Sequence, residues 1–417
     1  MAATENIQIT MEDVPSFTFG VIADVQYADL DDGSNFSKTV VRRYRNSLSI
    51  LDKATQQWAS QTSNPIQAIL QLGDLLDGQC TFKKLDLDKC VKSVLAPFGR
   101  FPKEIPRFDI IGNHECYNFS RDALRGKTKC PLNTSQVDPI TRCPSSYYSY
   151  VVAPGVRFVV LDAFEISTAN GKNDPTTDTA IQYLKSDGRN KTDFLIDGVD
   201  WATGLTGLEK RFVPYNGMMS TTQLAWLAKT LDAALVANEK CVVASHISLI
   251  PGACSVSCVI WNYEDALPVL HDPRGYLNGS PQEFGGETPV IACMYGHAHQ
   301  GGCCVDQRGI PHITFQAPLE AVGDETSFAT VEIVNKQVIV HGEGRVPSRK
   351  FSFPPDYVPD GGVFDPLAVQ NVMSAAQVPS RAAKDALSKT GRNESLAIET
   401  LLDFKAAYAK WQCAISI

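Results

Sequence analysis

Five short apolar runs in this chain each end at a side chain that binds metals well, and this repetition constrains the fold more than any other feature. Phe17 to Ala23 runs into Asp24-Val25-Gln26, and Ala68 to Leu72 into Gly73-Asp74-Leu75-Leu76-Asp77. Arg107 to Ile111 ends at Gly112-Asn113-His114-Glu115, Cys241 to Ser245 at His246, and Val290 to Tyr295 at Gly296-His297-Ala298-His299. Continuous apolar runs of this length read as buried strands. Between the first two, Val41, Tyr44, Leu48, Leu51, Ala54 and Trp58 recur at three- and four-residue steps, the period of a helix. A second helix is expected over Lys84 to Leu95, and a third begins at Ser220, where Ser220 and Gln223 form a capping-box pattern. Strands alternating with helices predict a layered α/β domain. Two hairpins, Tyr147 to Val152 with Val156 to Leu161 and Phe328 to Val334 with Val338 to His341, imply mixed sheets.

Taken singly, each strand exit has an ordinary reading: an Asp there is more often a helix cap, and an Asn-His a turn. Together they are a donor set, and four of the seven histidines fall within it. Oxygen mixed with imidazole suits Mn²⁺, Fe²⁺ or Zn²⁺ better than Ca²⁺, which takes mainly oxygen. The number of donors fits two cations sharing one carboxylate. Asp74 is the natural shared ligand, because it leaves a strand lying between the others. Glu115 reads as a capping or orienting carboxylate.

A formal net charge of −8, from 38 basic and 46 acidic residues, disfavours nonspecific nucleic-acid binding, which needs a basic face. Cations held at the cluster can still attract a small phosphorylated substrate. No apolar run approaches the roughly 20 residues that span a bilayer, so no membrane association is expected. Met1 to Val14 is polar and acidic and lacks the apolar core of an export signal, so a cytoplasmic location is expected. The twelve cysteines then read as reduced thiols. Cys303-Cys304 and the Cys254/Cys258 pair have no matched second Cys-x-x-Cys, which weighs against a structural zinc site.

The ordered set resembles the calcineurin-like metallophosphoesterase superfamily, whose pattern is Asp-x-His, Gly-Asp-x-x-Asp, Gly-Asn-His-Asp/Glu, a lone His and Gly-His-x-His. The resemblance covers roughly residues 17 to 346. It implies a four-layer αββα sandwich of two mixed sheets flanked by helices. Carried over residue by residue, it makes Asp24, Gln26, Asp74 and His299 ligands of one metal and Asp74, Asn113, His246 and His297 ligands of the other. Asp74 and His114 are the implied catalytic residues, His114 contacting phosphate and assisting the leaving group. The departure is Gln26, where the pattern has His. An amide oxygen is harder and weaker than imidazole, which favours Mn²⁺ over Zn²⁺. Phe19 to Gln26, Leu70 to Asp74, Gly112 to Asp122 and Trp261 to Leu267 are similar to the manganese-dependent ADP-ribose/CDP-alcohol diphosphatases.

That family resemblance implies hydrolysis of ADP-ribose to AMP and ribose 5-phosphate, and of CDP-alcohols such as CDP-choline to CMP and a phospho-alcohol. The implied route is in-line attack by a metal-bridging hydroxide. The cofactors would be two divalent ions, Mn²⁺ preferred, with Mg²⁺, Fe²⁺ or Zn²⁺ as alternatives, and the chain is expected to act as a monomer on small nucleotide diphosphates. A cyclic nucleotide phosphodiesterase of the same superfamily and a non-catalytic scaffold are the alternative readings. Candidate substrate contacts are Phe36, Arg43, Asn118, Arg121, Cys258, Trp261 and Asn262, and Trp261 is equally suited to the core. The expected organisation is a tail over 1–16, a catalytic domain over 17–349 with inserted loops at about 116–142 and 167–215, and a helical extension over 350–417.

Overall fold

The computed structural model describes residues 16–354, apart from 36, 126–145, 195, 197 and 281–285. The chain divides into two units, Met1–Pro355 and Asp356–Ile417. The second unit lies outside the described residues, as does the expected N-terminal tail except for Ser16. In the first unit, two six-stranded sheets face each other. One runs, edge to edge, through Arg349–Ser352, Gln337–Gly344, Ser327–Val334, Phe17–Ile22, Ala68–Gln71 and Arg107–Asp109; the last three strands are parallel and the others antiparallel. The other runs through Gly302–Val305, Pro311–Thr314, Val290–Tyr295, Lys240–Ser245, Val156–Val160 and Tyr148–Ala153, parallel over its four central strands.

Alternation along the strands builds the layers. Phe17, Phe19 and Val21 point inward and meet Phe158, Val242 and Met294 of the opposite sheet. The Phe19 and Phe158 rings lie 4.9 Å apart edge to face, and complete burial of each ring is worth roughly 1.5–3 kcal/mol. Ile22, Ile69 and Phe328, on the outer face of the first sheet, pack under the helices Tyr44–Ser60 and Leu87–Leu95 through Leu51, Trp58 and Val94. Val159, Val243 and Cys293 on the other outer face pack under Thr221–Val236 and Tyr263–His271. The expected αββα order is therefore present. No helix among the described residues is long and apolar enough to cross a membrane.

Several boundaries differ from the sequence expectation. Val41 fits the helical period but pairs in a two-residue strand with Ser34, and the helix starts at Tyr44. Lys84 adopts φ +53, so the second helix begins only at Leu87, capped by Asp86 through the Lys89 amide at 3.0 Å. The Ser220 hydroxyl accepts the Gln223 amide as expected, but the Gln223 side chain turns away to the Asp162 carbonyl and the Glu165 carboxylate. The segment read as a loop over 167–215 contains the helix Pro175–Lys185, and the start of the segment read as a loop from 116 finishes the helix Asn113–Asn118. The domain end expected at 349 cuts through the strand Arg349–Ser352, which pairs with Gln337–Gly344.

Candidate dinuclear metal centre

The five strand exits converge because they are the carboxyl ends of parallel strands in two facing sheets, where crevices form. Backbone hydrogen bonds join the first two: Asp24 N–H to Gly73 O at 3.1 Å and Gln26 N–H to Asp74 O at 2.8 Å. Asp24, Gln26, Asp74 and His297 have φ of +51, +44, +56 and +66. Left-handed backbone at non-glycine residues costs on the order of 1–3 kcal/mol each and concentrates at functional sites. Gly73, at φ +98, permits a close approach, since a Cβ there would sit 2.3 Å from His246 Nδ1. A Cβ on Gly112 would fall 2.1 Å from Asp74 Oδ1.

Asp74 is central. Its Oδ2 accepts from Gln26 Nε2 at 3.0 Å, and lies 3.2 Å from His246 Nε2 and 3.8 Å from His114 Nε2. Its Oδ1 accepts the His114 amide at 2.8 Å. His299 Nε2 is 2.9 Å from Gln26 Nε2 and 3.7 Å from Asp24 Oδ1. His246 Nε2 is also 3.8 Å from Asp24 Oδ1. The ligand atoms of Asp74, His246 and His297 lie within 4.8 Å of one another. Gln26 Oε1 and Asn113 Oδ1 are buried without a hydrogen-bond partner. Buried polar atoms left unpaired are costly, and both are competent donors to a hard or borderline cation.

The electrostatics also call for a cation. Asp24 and Asp74 are both buried, and the ion pairs found for them among the described residues are with histidines alone. Burial raises Asp24 to about 6. Burial acts against Asp74 too, but the His246 and His114 imidazoles outweigh it and hold that carboxyl below its usual range. His246 donates Nδ1–H to the Leu72 carbonyl at 2.7 Å, so Nε2 faces Asp74. Two basic atoms 3.2 Å apart need a positive centre between them. In the metal-free protein it is a proton: burial works against the imidazolium, yet Asp74 raises His246 to about 9. A divalent cation can take that proton's place.

Supporting residues hold the donors in place. Glu115 accepts from three amides, those of Asp74 at 2.7 Å, Leu75 at 2.8 Å and Gly112 at 2.8 Å, and so clamps the second and third exits together. Burial and then the charge of Asp74 raise its carboxyl to about 8, against the pull of these amides. Gly78 N–H donates to His114 Nδ1 at 2.7 Å, which leaves the ring proton on Nε2, directed at the cluster. Glu320 Oε1 takes the Nδ1–H of His299 at 2.8 Å, and Asn216 Oδ1 lies 2.8 Å from His297 Nε2. Sequence reasoning missed Glu320 and Asn216, since neither belongs to a recognisable pattern. Such outer contacts fix ring orientation and tune the metal.

The candidate substrate contacts divide. Phe36 lies outside the described residues. Arg43 precedes the helix Tyr44–Ser60, half-buried, 4.0 Å from Asp32. Cys258 is partly exposed, and its thiol is raised to about 11 by burial, with Asp24 close enough to contribute. Four residues do other work. Asn118 spends its amide on the carbonyls of Asp77 and His114, at 3.0 and 2.9 Å, bracing the loops beneath the site. Arg121 is buried in an ion pair with Asp162. Trp261 is core, stacked on Tyr183 at 5.7 Å with its indole N–H on the Val213 carbonyl. Asn262 pairs with both backbone groups of Met219 at the start of the helix Tyr263–His271. Two rings that the sequence did not single out flank the cluster instead: Tyr117, 5.4 Å from His114, and Tyr215, 5.7 Å from His297.

Residues 17–301 match the family model described as calcineurin-like phosphoesterase. The chain belongs to this family. It is 34% identical over 350 residues to the Homo sapiens manganese-dependent ADP-ribose/CDP-alcohol diphosphatase, covering 81% of this chain and 93% of that one. The Oryza sativa subsp. japonica protein of the same name is 32% identical over 356 residues, covering 85% of this chain and all of the relative. Among solved structures, a dimetal phosphatase from Danio rerio superposes with a TM-score of 0.68 at 32% identity, covering 81% of this chain and 99% of that one.

Proposed function

We propose that this chain is a manganese-dependent diphosphatase, cleaving ADP-ribose to AMP and ribose 5-phosphate and CDP-alcohols such as CDP-choline to CMP and a phospho-alcohol. The ligands are Asp24, Gln26, Asp74 and His299 for one ion and Asp74, Asn113, His246 and His297 for the other. The observation that carries the reading is the facing pair of His246 Nε2 and Asp74 Oδ2, 3.2 Å apart, beside the orphaned oxygens of Gln26 and Asn113. Relatives that share most of the chain's length and bear this activity in their names support the substrate class.

When bound, the two cations neutralise phosphoryl charge and activate water. The chain's own residues do the rest. Asp74, held by the His114 amide and Gln26, keeps the two positions together. His114, with Nδ1 occupied by Gly78 N–H, presents Nε2–H to the departing phosphate oxygen. A phosphate monoester is a good leaving group, so a hydrogen bond or a late proton suffices. Tyr117 and Tyr215 offer aromatic faces to a nucleobase, which is worth ~1–3 kcal/mol per stacked base. Arg43 and Cys258 stay in the proposed set of substrate contacts. The proposal includes action as a cytoplasmic monomer on free small molecules, not on nucleic acid or membranes, and the net charge of −8 supports the exclusion of nucleic acid.

Parallel assays of ADP-ribose, CDP-choline and cyclic AMP with Mn²⁺, with products identified chromatographically, test the substrate assignment. AMP with ribose 5-phosphate, and CMP with phosphocholine, are the expected products. Cyclic AMP cleaved faster than either would replace this reading with a phosphodiesterase.

Gln26→His should raise Mn²⁺ affinity at its position by roughly tenfold, because imidazole binds first-row metals more strongly than an amide oxygen. It should also relax the preference for Mn²⁺ over Zn²⁺. Titrating Mn²⁺ against activity reads this directly, and an unchanged half-saturation point in the folded variant would remove Gln26 from the ligand set.

A further inference from the structure

His297 has two ring nitrogens, and its usefulness as a ligand depends on which of them carries the proton. Its backbone N–H is held by both oxygens of Asp24 at 3.0 Å, and its φ is +66. Nε2 lies 2.8 Å from Asn216 Oδ1. Asn216 is fully buried. An amide can turn either its oxygen or its nitrogen toward a neighbour, but here the surroundings decide. Nδ2 donates to the carbonyls of Arg211 and Ser257, each at 2.8 Å, with the Val259 carbonyl at 3.3 Å. Turning the nitrogen toward the ring would set Oδ1 against these carbonyl oxygens and leave them unpaired. Oδ1 therefore faces the imidazole. Since a carbonyl oxygen only accepts, Nε2 must carry the hydrogen, and Nδ1 keeps the free lone pair. The rings of Tyr215 at 5.7 Å and Phe164 at 6.3 Å fix the imidazole from the sides.

Asn216 also sits where the 167–215 segment closes on itself. Its carbonyl accepts the Ser167 hydroxyl at 2.7 Å and its amide donates to the Val213 carbonyl at 3.1 Å. Its side chain reaches across to the 257–259 loop. One residue thus joins both ends of the insertion, a second loop and a candidate ligand.

We infer that Asn216 is a positioning residue that locks His297 in its Nε2–H tautomer, making Nδ1 the donor and fastening the ring to the base of the 167–215 segment. This rests on the dinuclear reading proposed above and adds to it a residue that touches neither metal nor substrate.

The test uses Mn²⁺ binding to the chelator-stripped full chain, measured by calorimetry, with thermal melts as the folding control. Wild type should bind two ions. Asn216→Ala should lose affinity for one of them by roughly 10–100-fold, the usual effect of deleting such a partner. Asn216→Asp keeps the acceptor for His297 but sets its second oxygen against the Arg211 and Ser257 carbonyls, so it should melt below wild type and yet, in its folded range, bind two ions within a few-fold of wild type. A merely structural asparagine predicts the opposite ranking, with Asp no better than Ala, and that result would overturn the inference. Two ions bound at wild-type affinity by folded Asn216→Ala would overturn it as well. If Asn216→Ala does not fold, ¹⁵N spectra of histidine-labelled, metal-free wild type read the tautomer without a variant at this position, with the His297 signal assigned by its absence in His297→Gln. A protonated, pyrrole-type Nε2 supports the lock, and a proton on Nδ1 with Nε2 bare refutes it. Failure of wild type to bind any Mn²⁺ would instead overturn the dinuclear reading itself.

Discussion

Asp74→Ala should lower ADP-ribose hydrolysis by on the order of 10⁴-fold or more, equivalent to ~5.5 kcal/mol of transition-state stabilisation. Asp74 lies against residues proposed for both metal positions and against His114: Gln26 at 3.0 Å, His246 at 3.2 Å, and His114 at 2.8 Å through its amide and 3.8 Å through its ring. On the proposed ligand set, removing it would take away the carboxylate shared by the two cations, and it takes from His114 the contact that holds its amide. Folding has to be separated from that loss. Asp74 repels Asp24, but in the metal-free protein His246 and His114 hold its carboxyl below its usual range, so its charge is net stabilising there at neutral pH. The near-isosteric Asp74→Asn, which still accepts the His114 amide, should therefore lower the metal-free melting temperature while abolishing activity, and assays below that temperature read the loss in folded protein. Turnover near wild type in either variant, with two ions still bound, would show that Asp74 does not bridge.

The strand exits were legible because buried parallel strands leave a strong local signature: apolar runs such as Phe17 to Ala23 that break at a polar residue. Their convergence followed from layered α/β architecture, which brings the carboxyl ends of such strands to one edge. Val41 shows the limit of periodicity. It lies three residues before Tyr44, as a helix requires, yet pairs across a tight strand with Ser34, and a single valine fits both patterns. Asn216 and Glu320 were illegible for another reason. Each acts on a histidine many positions away, His297 and His299 respectively, and nothing in the neighbouring sequence marks that contact. The substrate contacts were read from residue type near the motifs, and type does not fix direction. Asn118, Arg121, Trp261 and Asn262 lie close in sequence to functional residues but turn into the scaffold that supports them. Tyr117, inside the Gly112 to Asp122 stretch but not singled out there, and Tyr215, outside every motif, turn toward His114 and His297.

Metal removal should have an effect as large as the loss of Asp74, and for the same reason. The buried Asp24 and Asp74 carboxylates and the orphaned oxygens of Gln26 and Asn113 form a site that, in the metal-free protein, only the protons of its histidines offset, and that divalent cations would fill. Without them, an anionic diphosphate would face the buried Asp24 and Asp74 carboxylates with no positive charge to neutralise its phosphoryl oxygens. The most direct test is a single titration in which chelator-stripped protein receives Mn²⁺ in steps while bound metal and release of AMP from ADP-ribose are measured on the same samples. The account predicts no AMP above background in the stripped protein, then activity that rises with occupancy and reaches its plateau at two ions per chain. Full AMP release before any metal is bound, or two bound ions with no AMP released, would contradict it.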